Sequence, residues 1–329
     1  MKTLLLATPT SNIGNSFISK GALACLSNAF PDSDIFEVSL YPDYAAERCF
    51  TRRGLISSQI RRGGDDRASN HFRDQIINPS ELFDADLAVI PGCVMGKVAF
   101  ERYLETLKRI DEKDIPILFL GVGAGSYDSN IINKTQERIQ ELQNIAFVSR
   151  DETCYDAFAD LADTSHSGID CAWFLDDWYT GPEANQSLTA LTFDKISEPD
   201  IDVTGRVIRP NHGPYRQFQQ SLVERVGELL GVGQSLPRNH FVSDSATDYL
   251  SIYSNAAQTH SDRIHACVPA LVFDNEAQFY YETPRSKLFD RVGLSDITNK
   301  PVSLNQEILD KQKQAQVEFL SELKQSGFV

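Results

Sequence analysis

The sequence has few basic side chains for its size. Its 329 residues include 31 Lys and Arg but 46 Asp and Glu, which gives a formal net charge of −15 and a pI of about 4.8. A nucleic-acid partner needs an extended basic face, so the composition excludes that class of function. Any small anionic ligand must therefore be bound by a few local arginines.

The sequence also lacks paired cysteines and long apolar runs. Its six cysteines are far apart and form no Cys-x-x-Cys pair, so we expect neither disulfides nor a metal site, and a reducing cytoplasm suits them. No stretch reaches the roughly 18 to 20 apolar residues that would cross a bilayer. The apolar run after Lys2 is shorter than the core of a signal peptide, and we expect it to form the first strand.

Short apolar runs alternate with helical patterns along the chain, which predicts an α/β fold with parallel sheets. The length exceeds what one core usually serves, so we expect two Rossmann-like domains of about 150 residues each. Apolar residues recur at helical spacing between Ile18 and Ala29 and predict the first helix. Strands are predicted at residues 3–7, 35–40, 87–91, 117–121 and 146–149.

The rhythm of strands is interrupted around Gly181-Pro182, which predicts an N-terminal domain at 1–180 and a C-terminal domain at 181–303. In the second domain we predict strands at 206–209, near Phe241 and at 270–273, and helices at 217–230 and from Asp244. Residues 304–329 are predicted to form a surface helix that can cross back to the first domain. The arginine-rich residues 49–79 form either a lid over the site or a surface insertion.

Two turns follow predicted strands at the edge where parallel sheets bind ligands. The first contains Asn12, Gly14 and Asn15, which either contact a ligand or simply cap the first helix. The second, from Gly121 to Gly125, either offers backbone N–H groups to an anion or forms a tight turn.

Three cationic or titratable side chains are placed at the same kind of edge. Arg150 directly follows a strand and can fork onto a carboxylate or phosphate, or pair with a neighbouring acid. Arg263 and His265 precede a helix of small residues, so that a fixed cation lies beside a titratable group. Either residue of this pair could instead be structural.

The Arg263-Ile264-His265 segment resembles the Arg-x-His pair that closes the site of the polysaccharide pyruvyl transferase family. Further resemblances follow in the family's order along most of the chain, at 12–15, 85–92, 121–125, 148–151, 169–175 and Lys287. Asn15 stands where the family has an aspartate, and Cys93 stands where a glycine is common.

The resemblance implies a glycosyltransferase-B-like pair of Rossmann-like domains with the site in the cleft between them. It implies phosphoenolpyruvate as donor and a glycan or lipid-linked sugar as acceptor, which allows peripheral membrane contact. No metal-ligand cluster is visible in the sequence, so we expect no metal and no cofactor. Arg150 and Arg263 would then hold the donor's two anionic groups, and His265 would be the catalytic acid or base with Arg263 beside it. Further substrate contacts are expected from Lys287, Asn12, Gly14, Asn15, Gly123 and Gly125.

Two other functions are compatible with the sequence. A nucleotide-sugar glycosyltransferase of the same fold would use Arg263 and Lys287 to hold a diphosphate. A non-catalytic carbohydrate-binding or regulatory protein is compatible with the departures at Asn15 and Cys93. For any of the enzymes, we expect Arg150 from one domain and Arg263 with His265 from the other to face a common cleft.

Overall fold

A computed structural model describes residues 1–8, 12–40, 77–203, 205–212 and 239–329 of the chain. The first half forms a six-stranded parallel sheet of order β2-β1-β3-β4-β5-β6. Its strands are β1 Lys2–Ala7, β2 Asp34–Ser39, β3 Leu87–Pro91, β4 Ile117–Val122, β5 Ile145–Ser149 and β6 Thr164–Ser167. Among the described residues, its helices are α1 Ile13–Ala29, α2 Lys97–Asp111, α3 Ser129–Ile139, α4 Glu152–Phe158 and α5 Leu175–Trp178, with short 3-10 turns at Pro79–Glu81, Ala159–Leu161 and Cys171–Phe174.

The second half forms a five-stranded parallel sheet of order β11-β10-β7-β8-β9. Its strands are β7 Leu188–Thr192, β8 Arg206–Pro210, β9 His240–Phe241, β10 Ala256–Ser261 and β11 Glu276–Phe279. Its described helices are α6 Ala246–Tyr253, α7 Ile264–Val272 and the C-terminal α8 Gln306–Gln325, with 3-10 turns at Pro284–Val292 and Ser295–Thr298. Two doubly wound parallel sheets of this kind are the Rossmann-like arrangement that the alternating pattern predicts.

The central strands of the first sheet are covered on both faces. Every residue of β3, β4 and β5 is buried, as continuous apolar runs in a parallel sheet require. One core includes Phe17 of α1, Trp173 and residues of the second half such as Leu271, and it therefore joins the two sheets. A separate core packs α2 against the opposite face of the first sheet through Phe100 and Phe119.

The five strands predicted in the first half are present, but the strand predicted at 270–273 is wrong. Residues 270–272 lie in α7, all of whose residues are buried, and they form a short apolar run. A short apolar run is typical of both a buried helix and a buried strand, so periodicity alone does not distinguish them. Strands β6, β7, β10 and β11 were not predicted. The helix predicted at 217–230 and nearly all of the proposed lid at 49–79 lie outside the described residues.

Helix α8 lies against the first half of the chain. The ammonium of Lys313 is 2.5 Å from a carboxylate oxygen of Asp176, and the side-chain oxygen of Gln316 accepts the backbone N–H of Ile169 at 2.8 Å. Within the described ranges, no helix is both long enough and apolar enough to span a bilayer.

Candidate active site

Each sheet has one point where the strand order reverses, and loops at such points bind ligands in doubly wound folds. In the first sheet the reversal lies between β1 and β3, beside the turns that carry Gly14 and Gly92. In the second sheet it lies between β7 and β10, beside the loops that carry Asp194 and Arg263. Arg263 and His265 follow β10 at the second of these points, whereas Arg150 follows β5 of the first sheet.

Arg150 follows β5 and is fully buried. Its Nη1 donates to Oδ2 of Asp170 at 2.9 Å, and its Nε lies 4.0 Å from Oδ2 of Asp151. Burial alone would lower the pKa of this guanidinium, but Cys93, Asp170 and its other acidic neighbours raise it above the ordinary value. Arg150 is therefore a permanent buried cation. Asp151 also caps α4, since it accepts the N–H of Cys154 at 2.9 Å.

Two donors of the Arg150 guanidinium form no hydrogen bond with the described residues. These donors are Nε and Nη2, and both are buried. Gly123 lies directly against them, because a Cβ at this position would be 2.3 Å from Nε. The N–H of Gly123 donates to the carbonyl of Gly92 at 3.2 Å, which ties two glycine turns together beside the guanidinium. Buried, unpaired N–H groups of this kind are suited to an anion.

His265 is in the first turn of α7, and its imidazole faces the first half of the chain. Its Nε2 is 3.3 Å from Oδ2 and 3.4 Å from Oδ1 of Asp170. Gly14 lies against it, since a Cβ there would be 2.9 Å from the His265 Cβ. The second half thus places an imidazole on a carboxylate of the first half.

Asp170 joins the two cationic partners. Burial alone would raise its pKa, but His265 and Arg150 hold it below the ordinary aspartate value, so the carboxylate is ionised. Burial also lowers the pKa of His265; Asp170 opposes this effect, whereas Arg150 and Arg285 add to it. The resting pair is therefore a neutral imidazole beside a carboxylate, which is the arrangement that stabilises an imidazolium once a proton is taken up.

Arg263 points to a different partner from His265. Its Nε forms a hydrogen bond with a carboxylate oxygen of Asp194, on the loop after β7. That loop is itself held by Asp262, whose Oδ2 accepts the backbone N–H groups of Asp194, Lys195 and Ile196 at 3.0, 2.6 and 2.9 Å. The acid before Arg263 therefore builds the loop that positions its guanidinium.

The structure adds cations that the sequence patterns did not single out. Arg285 acts electrostatically on both His265 and Lys195, and its buried Nε has no hydrogen-bond partner among the described residues. Partial burial, Arg263 and Arg285 all lower the pKa of Lys195. Burial, Arg263 and His265 lower the pKa of His212, whose ring bonds the Tyr253 hydroxyl at 2.6 Å. Arg263, Arg285 and Lys195 thus act on one another here, beside the carboxylates of Asp194 and Asp262.

The other residues predicted to contact substrate differ in what surrounds them. Asn12 caps α1, where its side chain accepts the N–H of Gly14 at 3.2 Å, and the N–H of Asn15 donates to the Asn12 carbonyl at 2.9 Å. Gly125 is exposed, with nothing within 4 Å of a Cβ built on it. Lys287 donates to the Thr153 hydroxyl at 2.8 Å, across the two halves of the chain. No group of three or more His, Cys, Asp or Glu side chains is placed to hold a metal in the described ranges.

Most of the chain matches the sequence model of one protein family. Residues 12–274 match the sequence model described as polysaccharide pyruvyl transferase, well over half of the chain. No curated protein sequence matches the chain.

Solved structures show the fold at low sequence identity. S. aureus MnaA in complex with UDP has a TM-score of 0.50 at 11% identity, covering 97% of this chain and 89% of that chain. A functionally uncharacterised Klebsiella pneumoniae protein has a TM-score of 0.47 at 13% identity and covers 90% of each chain. UDP-GlcNAc 2-epimerase from Neisseria meningitidis, bound to UDP-GlcNAc, has a TM-score of 0.48 at 10% identity, covering 98% and 94%. The fold is that of two Rossmann-like domains in a glycosyltransferase-B-like arrangement.

Proposed function

Because the chain belongs to the polysaccharide pyruvyl transferase family, we propose that it transfers the three-carbon skeleton of phosphoenolpyruvate to a sugar as a ketal and releases phosphate. The observation that best supports this reaction is the Arg150–Asp170–His265 cluster. It combines a buried guanidinium that has unpaired donors with an imidazole held on a carboxylate. The first can bind an anion, and the second can move a proton.

The proposed reaction balances without a cofactor. A proton adds to the methylene carbon of the donor, which becomes the methyl group, and a sugar hydroxyl adds to the central carbon and loses its proton. The bond from that carbon to the phosphate oxygen then breaks, and a second hydroxyl adds in its place and loses its own proton. Of the two hydroxyl protons, one is balanced by the new methyl hydrogen and the other leaves with phosphate.

Each group of the site has a role in this proposal. Arg150 binds the donor carboxylate through its unpaired Nε and Nη2, since a planar fork matches a carboxylate. Arg263 and Arg285 bind the phosphate from the second half. His265 is neutral at rest, so it accepts the proton of the attacking hydroxyl, and Asp170 stabilises the imidazolium that results.

The acceptor and compartment follow as further parts of the proposal. A sugar with two suitably spaced hydroxyls is required to close the ketal, and it can be free or lipid-linked, with peripheral membrane contact in the second case. The five described cysteines, Cys25, Cys93, Cys154, Cys171 and Cys267, are all unpaired. Free thiols fit a reaction in the reducing cytoplasm.

Phosphate release tests the proposal. The protein is incubated with phosphoenolpyruvate and a panel of glycans, and free phosphate is measured with and without each glycan. We expect release only with an acceptor that has two suitably placed hydroxyls, because addition to the central carbon precedes loss of phosphate. Turnover of a nucleotide sugar without any use of phosphoenolpyruvate would instead support a glycosyltransferase. Binding of glycans without turnover of either donor would support a carbohydrate-binding protein.

A further inference from the structure

The segment that carries Asp170 is held by side chains from the far end of the chain. It runs from β6 to the turn Cys171–Phe174. The N–H of Ile169 donates to Oε1 of Gln316 in α8 at 2.8 Å. Arg291 donates through Nε to the carbonyl of Gly168 at 3.2 Å and through Nη2 to the carbonyl of Ser167. Three consecutive backbone groups before Asp170 are thus fixed from outside their own sheet.

The contact from α8 is close and fully buried. Gln316 has no exposed surface, and a Cβ on Gly168 would lie 2.3 Å from its Oε1. Its Nε2 is 3.7 Å from the Cys25 thiol, in the core that joins the two halves. An amide is costly to bury unless its polar atoms are bonded, so the bond to Ile169 is required for this placement.

We propose that Gln316 is a positioning residue for the active site: by fixing the Ile169 peptide, it holds the Asp170 carboxylate where it meets both Arg150 and His265. The inference rests on the proposed function, since it assigns this contact a role in the reaction. Asp170 directly follows Ile169, so the bonded peptide and the carboxylate are carried by adjacent residues. The C-terminal helix is thereby part of the catalytic arrangement and not only a cover on the core.

Displacement of Asp170 has a distinctive electrostatic consequence. The charged or titratable groups that act on His265 are Asp170 and Arg150 from the first half and Arg285 and His212 from the second. Of these, only the Asp170 carboxylate favours the imidazolium; burial and the arginines oppose it. When the carboxylate moves away, the pKa of His265 must fall further. A general loss of packing does not predict this shift.

The test compares four variants of α8. Gln316→Met keeps the length of the side chain but leaves the Ile169 N–H without its acceptor, and Gln316→Glu restores an acceptor at the same place. Gln314→Met makes the same chemical change at an exposed position on the same helix. Lys313→Met removes the partly buried contact of α8 with Asp176 and leaves the Ile169 bond intact.

We expect Gln316→Met to lower kcat for phosphate release by about tenfold, the effect of one displaced buried polar contact. The limb of the pH profile that reports His265 should move to lower pH. Gln316→Glu should recover most of the activity, and Gln314→Met should match the wild type. Lys313→Met should lower the unfolding midpoint and leave the pH profile in place. An unshifted profile in Gln316→Met, or an equal shift in Lys313→Met, would show that α8 has only a structural role.

A second measurement needs no substrate and therefore tests the role of Gln316 independently of the proposed donor. The pKa of His265 can be followed directly by NMR of the imidazole in the full-length protein, with His265→Gln to assign the signal. A lower pKa in Gln316→Met than in the wild type supports the positioning role even where phosphoenolpyruvate is not turned over. An unchanged value refutes it, whatever the reaction is.

Discussion

Asp170→Asn is the most informative single substitution in the site, because it removes one charge and almost no volume. The amide can still accept the N–H of Ala172, which the Asp170 side chain accepts at 2.9 Å. The amide no longer neutralises the positive charge of Arg150, whose Nη1 lies 2.9 Å from Oδ2 of Asp170 in the wild type, and it no longer favours a proton on His265. The variant therefore isolates the electrostatic role of the carboxylate from its role in the turn.

The expected loss of stability follows from the burial of the pair. Arg150 and Asp170 both have no exposed surface, and removal of one partner from a buried ion pair costs about 3 to 5 kcal/mol. We expect the lower end, about 3 kcal/mol, since the hydrogen bond to Ala172 is kept. The pKa of Asp170 in the folded protein lies below its ordinary value of 3.8. The contribution of this carboxylate is thus present above that pH and is lost as the pH falls below it.

Urea unfolding of wild type and variant over a range of pH measures this effect. We expect the difference in free energy of unfolding to be constant near neutral pH and to shrink as the pH falls from 3.8 towards the lower pKa that Asp170 has in the folded wild type. The pH profile of kcat/KM should show the His265 limb at lower pH in the variant. A variant as stable as the wild type at pH 7, with an unshifted limb, would refute the account of a charged Arg150–Asp170–His265 cluster.

Two further substitutions test the anion contacts. Gly123→Ala should weaken donor binding by about tenfold, because the new Cβ displaces the Arg150 guanidinium; calorimetric titration with phosphoenolpyruvate measures this. The matched control is Gly125→Ala, at an exposed glycine with open space around it. Equal effects of the two substitutions would contradict this reasoning. Arg263→Lys should raise the KM for the donor by about tenfold, because an ammonium cannot reproduce a planar fork. Near-native kcat and KM would mean that Arg263 serves only to pair with Asp194.

The sequence predicts the first sheet better than the second for a physical reason. β3, β4 and β5 are buried on both faces and are therefore short apolar runs bounded by turns. β10 is also an interior strand of its sheet, but it contains the buried polar residues Thr259 and His260 and shows no apolar pattern. β6 consists of four half-buried residues, Thr164–Ser167, at the edge of the first sheet. Neither strand carries the signal on which the prediction depends.

The same limit applies to the site. Arg150 and His265 were identified because each lies where a strand ends or a helix begins, which a local pattern reveals. Asp170 lies within segment 169–175, which resembles the family, but its bond to His265 spans 95 positions, so no local pattern indicates that pairing. The sequence pattern indicates Lys287 and not Arg285, two residues earlier, although Arg285 is the one that acts on His265. Only the packing of the two halves identifies these partners.

The central claim is that this cluster transfers pyruvate from phosphoenolpyruvate to a sugar. The most direct measurement uses donor labelled with ¹³C at the methylene carbon, with an acceptor glycan and either wild-type protein or Asp170→Asn, and follows the label by NMR. With the wild type, the label should appear as a methyl carbon of a ketal attached to the glycan, together with an equal amount of phosphate, and the variant should form it far more slowly. Label that stays in the donor with every acceptor, or that appears equally fast with the variant, would contradict the claim.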